Sequence, residues 1–185
     1  MIVDMIEGKF VRLITADKQD ALFTMAIRQD DNNTQYMPKI NVSLEQQEKW
    51  IQSQREALDS VFFLVQRRSG EPIGTFSLYN ISGRRAESGR MIIRGNQIET
   101  METVLLFHDY AFFTANMDEV YSEIAENNLP AQGVAKSAGA KNHGYLSEFD
   151  GTYKRLIYTA VREDYCEARK KLEKLVNRFA ARMGD

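Results

Sequence analysis

Glu87 opens the stretch Ala86 to Arg94 (AESGRMIIR), with Arg84, Arg85 and Arg90 close by. A carboxylate at a strand end can take a proton from a substrate, directly or through a water. The plainer reading is a solvated charge among arginines. Downstream, Arg94-Gly95-Asn96-Gln97-Ile98-Glu99-Thr100 leads into a helical pattern. Free N–H groups and the dipole make a helix N-terminus an anion site, with Arg94 adding charge and Gly95 allowing close approach. Glu99 repels an anion there if it faces inward. Asn128 precedes another helix, where its side chain serves as an N-cap.

Other chemistries are poorly supplied. Cys166 is the single cysteine, and His108 and His143 are the two histidines, so no Cys/His cluster has metal-ligand spacing. His108, among Phe107, Tyr110 and Ala111, reads as a packed or surface residue. A net charge of -2 gives no global attraction for nucleic acid or an anionic membrane. The N-terminus lacks the basic and long apolar regions of a signal peptide, and no apolar run approaches the roughly 18 residues of a membrane span. The chain is read as cytoplasmic, with no metal, nucleic-acid or membrane partner.

The elements that must position these residues follow from periodicity. Lys9 to Ile14 alternates as a strand, and Thr15-Ala16-Asp17 starts a helix to about Arg28 with Ala21, Leu22, Met25 and Ala26 on one side. Gln29 to Val42 is a polar loop. Ser43 and Gln46 form a capping box for a helix to about Leu58. Val61 to Gln66, Ile73 to Tyr79 and Ala86 to Arg94 make a three-stranded meander with turns at Ser69–Pro72 and Ser82-Gly83. A helix from about Ile98 to Phe113 has Ile98, Met101, Val104, Leu105, Ala111 and Phe112 near a 3.6-residue period. Glu119 to Ala125 is a strand, and Asn128 caps a helix ending at Gly139. Tyr145 to Phe149, a turn at Asp150-Gly151, and Tyr153 to Ala160 read as a closing hairpin. A last helix, Arg162 to Met183, carries an apolar stripe that packs on the domain or on a second subunit. The fold class is α/β (α+β): one domain over residues 1–185, its core at about 7–162. It has a mixed, mostly antiparallel sheet of about six or seven strands flanked by helices.

This order resembles the GNAT superfamily of N-acetyltransferases over about residues 7 to 162. Glu7-Gly8-Lys9-Phe10-Val11-Arg12-Leu13 is similar to that family's first strand, and Glu71-Pro72-Ile73-Gly74-Thr75 to its central hairpin. Ala86 to Ile93 resembles its fourth strand. Asn128, eleven residues before Gly139, resembles its Asn-(ten residues)-Gly helix. Within the superfamily, the GRMII strand followed by Glu99 and Glu102 looks most like enzymes acting in surface-polysaccharide and amino-sugar pathways. Acetyltransferases of ribosomal-protein alanine and of polyamines share the layout more distantly.

The resemblance implies acetyl-CoA as co-substrate and a primary amine as acceptor, with an amino sugar linked to a nucleotide as the candidate. An alkyl ammonium with pKa near 10 is only about a thousandth neutral at pH 7, so the amine needs a base, and Glu87 is the candidate. Asn128 is the second candidate, contacting the pantetheine or acetyl region. Backbone N–H groups at Met91, Ile92 and Ile93 are the expected donors to the thioester oxygen and the pantetheine arm. Arg94 to Thr100 is the expected phosphate turn, although it has a single glycine where the family's pattern is basic-x-x-Gly-x-Gly or -Ala. A tyrosine that protonates the leaving thiolate in many relatives is here Ala135, with Ser137, His143 and Tyr145 as substitutes. Tyr36-Met37-Pro38, with Arg28, Gln29 and Asp30, falls in the loop that borders the acceptor in this fold. The alternatives are a catalytically degenerate GNAT-fold binding module, or an acetyltransferase of protein N-termini or polyamines. A homodimer is the expected assembly if the last helix pairs.

Overall fold

The computed structural model describes residues 2–3, 5–146 and 154–183. Among them run β1 (Ile6–Glu7), β2 (Val11–Thr15), a 3-10 turn, α1 (Ala21–Gln29), α2 (Leu44–Glu56), β3 (Val61–Arg67), β4 (Pro72–Ser82) and β5 (Arg85–Ile93). Then follow α3 (Gln97–Asp109), β6 (Glu119–Ala125), α4 (Leu129–Ser137), β7 (Lys141–Tyr145), β8 (Arg155–Val161) and α5 (Arg162–Met183). The eight strands form one sheet in the order β1-β2-β3-β4-β5-β6-β8-β7. Every pairing is antiparallel except β5 with β6.

That parallel pair matters most for the site. Its register covers Arg85↔Glu119, Ala86↔Val120 and Glu87↔Tyr121 and goes no further, although both strands continue. The Oγ atoms of Ser88 and Ser122, 2.6 Å apart, tie the strands just past the last pair. On its other edge β5 bulges against β4: Gly89 faces Ser77 and Ile92 faces Thr75, so one residue is extra. Arg90 takes that strain at φ 53°, and the Thr75 hydroxyl donates to its carbonyl at 3.0 Å. The bulge bends the far half of β5 away from β6.

Helix α3 crosses the sheet and is buried on most of its circumference: Glu99, Glu102, Thr103, Phe107 and His108 lie inside, along with Ile98, Val104 and Leu105. α5 covers its outer face, where Tyr165 donates to the Leu105 carbonyl and Arg169 pairs with Asp109. Leu172 and Val176 of α5 are buried in the same core. The carboxylate of Glu102 has left the helix pattern for another task. It accepts the N–H groups of Lys9, Phe10 and Val11 at 2.7, 2.6 and 2.8 Å and so closes the β1–β2 turn.

Several expected boundaries shift. Lys9 and Phe10 belong to that turn rather than to a strand. Asp17 caps the 3-10 turn Lys18–Asp20, and α1 starts after it. The buried face of α1 is Ala21, Thr24 and Ile27, while Leu22 and Ala26 point outward. The expected stripe was one helical step off the face that meets α2 and the sheet. The helix expected to reach Phe113 ends as α3 at Asp109 and continues as a π-helical turn over Tyr110–Thr114. The strand expected at Tyr145–Phe149 lies earlier, at Lys141–Tyr145, because Lys141-Asn142-His143 is an exposed edge whose polarity hid it. The turn at Asp150-Gly151, Ser147 to Phe149 of that expected strand and Tyr153 lie outside the described residues. No helix among those residues is long and apolar enough to cross a membrane.

Candidate active site

Where β5 and β6 part, a cleft of about 610 Å³ opens. Residues Gly89 to Ile93 of β5 and Ser122 to Ala125 of β6 are its two walls, and α4 closes one end through Asn128, Val134 and Ala135. Phe76 and His108 line it from the core side, and the loop after α1, including Tyr36, Met37 and Pro38, lines the opposite end.

β5 alternates its backbone between the two edges. Arg94 donates its N–H to the Ile73 carbonyl on β4 at 2.7 Å. Ile93, one residue earlier, therefore directs its N–H to the other edge, into the gap left by β6. An extended chain lying in that gap meets a strand edge.

Glu87 sits at the root of the gap, opposite Tyr121. It is 9% exposed, so the solvated reading does not hold. Arg84 and Arg85 are occupied by Asp118 and Glu119. The Glu87 carboxylate accepts the Tyr79 hydroxyl at 2.5 Å, the Asn80 amide at 2.8 Å and the Tyr121 hydroxyl at 3.3 Å. A carboxylate has about four acceptor positions, so one stays open for a water or an amine. Arg90 lies with its guanidinium carbon 4.1 Å from the centre of the Tyr79 ring and donates to Gln54 at 2.9 Å. Burial, then the bond to Glu87, push the Tyr79 phenol far above its usual pKa, so it remains a donor. Gly89 makes this possible: a Cβ there would stand 2.7 Å from the Tyr79 hydroxyl oxygen.

The expected phosphate turn is built differently. Asn96 caps α3 by accepting the Glu99 N–H at 3.0 Å, and Glu99 folds back to accept the Asn96 N–H at 2.7 Å. The Glu99 carboxylate also receives Arg67 Nε at 2.7 Å and lies 2.7 Å from where a Cβ on Gly95 would be. Burial works to raise its pKa, but Arg67 and the Asn96 N–H outweigh burial and hold it below the usual value. Arg94 is paired with Asp30 at 2.7 Å. The N–H groups of Gln97 and Ile98 are those the capping box does not use. Thus Met91, Ile92, Ile93, Thr100 and Asn128 line the cleft, whereas Arg94, Gly95, Asn96, Gln97, Ile98 and Glu99 stand beside it, outside its lining.

Asn128 is both cap and lining: it accepts the Ala131 N–H at 3.2 Å and borders the cleft. Ala135 borders it too. The substitutes for a tyrosine there point elsewhere: Ser137 donates to Val134, Tyr145 to Glu126, and His143 is exposed on β7. His108 is a core residue. Burial lowers its pKa to about 4, and its Nδ1 is 2.8 Å from the Val104 carbonyl. The residues that sequence reasoning missed are Tyr79, Asn80 and Tyr121, which surround Glu87 from three different strand positions. No group of His, Cys, Asp and Glu among the described residues could hold a metal ion.

The sequence matches the family model described as acetyltransferase (GNAT) domain over residues 10–141. The chain belongs to the GNAT acetyltransferase family. No curated protein sequence matches it. Among solved structures, the GNAT chain is similar to apo FdhC, a nucleotide-linked sugar GNAT, at 20% identity, covering 95% of this chain and 98% of that one with a TM-score of 0.76. It is also similar to Mycobacterium smegmatis RimJ in complex with CoA-disulfide, at 17% identity, 94% and 93% coverage and a TM-score of 0.76. Spermidine N-acetyltransferase from Vibrio cholerae, in complex with CoA and spermine, matches at 19% identity, 86% and 99% coverage and a TM-score of 0.75. At these identities the three share the GNAT fold with this chain. GNAT acetyltransferases use acetyl-CoA.

Proposed function

We propose that this GNAT acetyltransferase moves an acetyl group from acetyl-CoA to a primary amine in the β5–β6 cleft, with Glu87 as proton acceptor. The observation that carries the reading is Glu87 itself: a buried carboxylate, fixed by three side-chain donors, at the point where the two strands separate. Acetyl-CoA supplies the activated thioester. Along β5 it is Ile93 that directs its N–H into the gap, where it meets charge developing on a carbonyl oxygen, while Ile92, paired with Thr75, turns its backbone to β4. Glu87 takes the ammonium proton through its open acceptor position, directly or by a water, leaving the amine lone pair free to attack. The C–N bond forms as the C–S bond breaks. Ala135 offers no proton, so the sulfur leaves as thiolate, which a thiol pKa near 8.5 makes feasible, and the second proton of the nitrogen, acidified once the C–N bond has formed, passes to water.

The acceptor we assign is an amino sugar linked to a nucleotide, in keeping with the likeness to FdhC and with the arginines of the cleft. The test is thiol release from acetyl-CoA with such an acceptor, with the N-acetylated product identified by mass spectrometry. Saturable, amine-dependent release supports the reading; CoA binding with no release for any primary amine contradicts it.

A second reading has its own observations. Glu99 at the phosphate turn and Ala135 on α4 fit a GNAT-fold protein that binds a ligand in the cleft without turnover. Amine-dependent thiol release excludes it.

A further inference from the structure

The acceptor end of the cleft holds a cation that the transfer chemistry leaves unused. Arg28, in the last turn of α1, lines the cleft wall shared with Asn32, Gln35 and Tyr36. Its Nη2 donates to the Pro38 carbonyl, which ties the loop back to the helix. Its Nη1 is shielded from solvent and has no hydrogen-bond partner among the described residues. A guanidinium is charged at any physiological pH and carries five donors in a fixed fork, so an unmet, enclosed N–H on it is costly.

The nearby acids do not answer it. Asp30 commits its carboxylate to Arg94 at 2.7 Å and to the side chain of Asn33 at 3.2 Å and the N–H of Asn32 at 3.0 Å. Asp31 pairs with Lys39 at 2.8 Å. Burial lowers the Arg28 pKa, as befits a guanidinium with no counter-ion beside it. The loop therefore neutralises Arg94 and Lys39 and leaves Arg28 uncompensated on the cleft side.

We propose that Arg28 anchors an oxyanion group, phosphoryl or carboxylate, carried by the amine acceptor. This rests on the reading of the cleft as the acyl-transfer site and adds the residue that selects the acceptor there, by the anionic group the amine carries. The planar fork suits two oxygens of one group. The same charge discriminates against a polycationic amine, which it repels.

The experiment is calorimetric titration of the protein, saturated with CoA so that donor-side phosphate positions are filled, with uridine diphosphate and separately with malonate. At least one probe is expected to bind saturably, and Arg28→Gln to weaken that binding about tenfold or more while CoA binding stays intact. Binding of uridine diphosphate alone assigns a phosphoryl group, and of malonate alone a carboxylate. Equal binding by wild type and Arg28→Gln, or no binding of either probe, overturns the proposal. If Arg28→Gln does not fold, Arg28→Lys decides: the charge survives without the fork, so weakened binding agrees and unchanged binding overturns. Should CoA itself not bind, the acyl-transfer reading fails on its own, and the same titrations on the free protein still test Arg28.

Discussion

Arg67, the last residue of β3, places Nε 2.7 Å from Oε1 of Glu99, in the first turn of α3. The ion pair puts the protein's own carboxylate at a helix N-terminus of the kind that holds phosphate. Arg67 also reaches Glu71 at 2.7 Å, so the cluster has two acids for one guanidinium.

Glu99→Gln is expected to tighten CoA binding about tenfold, because it removes one negative charge and releases Arg67 towards the diphosphate. Binding of S-acetylpantetheine, which has no phosphate, should be unchanged. Calorimetry on both ligands checks this, and equal affinities for CoA in variant and wild type would place the diphosphate elsewhere.

Glu87→Gln should lower kcat by about a hundredfold or more with little change in CoA affinity, since the amide keeps the shape but cannot accept the proton. Tyr79→Phe removes one donor to the carboxylate and should cost less. Steady-state thiol release with parallel calorimetry separates the two effects; an active Glu87→Gln variant removes Glu87 from the mechanism.

Much of this framework was legible in the sequence, and the limits are instructive. Ser43 with Gln46 announced a capping box that forms as expected. Asn96 with Glu99 is the same signal and forms just as well, at the helix start expected to hold phosphate. Glu87 was identifiable as a candidate because it begins an apolar strand. Its burial was not, because that depends on Tyr79 and Asn80 from β4 and Tyr121 from β6, which meet only through sheet register. In the sequence Glu102 counts only, with Glu99, towards a likeness to one GNAT subgroup. Its three backbone partners lie more than ninety residues earlier in the chain, beyond any local pattern.

Glu102→Gln should therefore destabilise the fold by on the order of 3 kcal/mol, since the amide nitrogen then faces backbone donors in a buried site. Denaturant unfolding measures it. A loss below roughly 0.5 kcal/mol would show that the β1–β2 turn does not depend on the carboxylate.

His108 sets a pH dependence. Its folded pKa of about 4 lies below the ordinary 6.5, so between these values the unfolded chain binds the proton that the folded one refuses. Stability from this group is fully present above about pH 6.5 and falls as pH drops towards 4, by roughly 3 kcal/mol in all. Replacing the ring by the apolar one in His108→Phe should flatten that part of the profile. Parallel slopes for the two proteins between pH 6.5 and 4 would assign the loss to other groups.

The most direct test of the account is calorimetric titration of the purified protein with acetyl-CoA and, in parallel, with free CoA. The account predicts saturable micromolar binding of both, weaker than in Glu99→Gln, in a cleft whose β5 edge is already free. No binding up to millimolar concentration would contradict it and leave the GNAT fold serving some other chemistry.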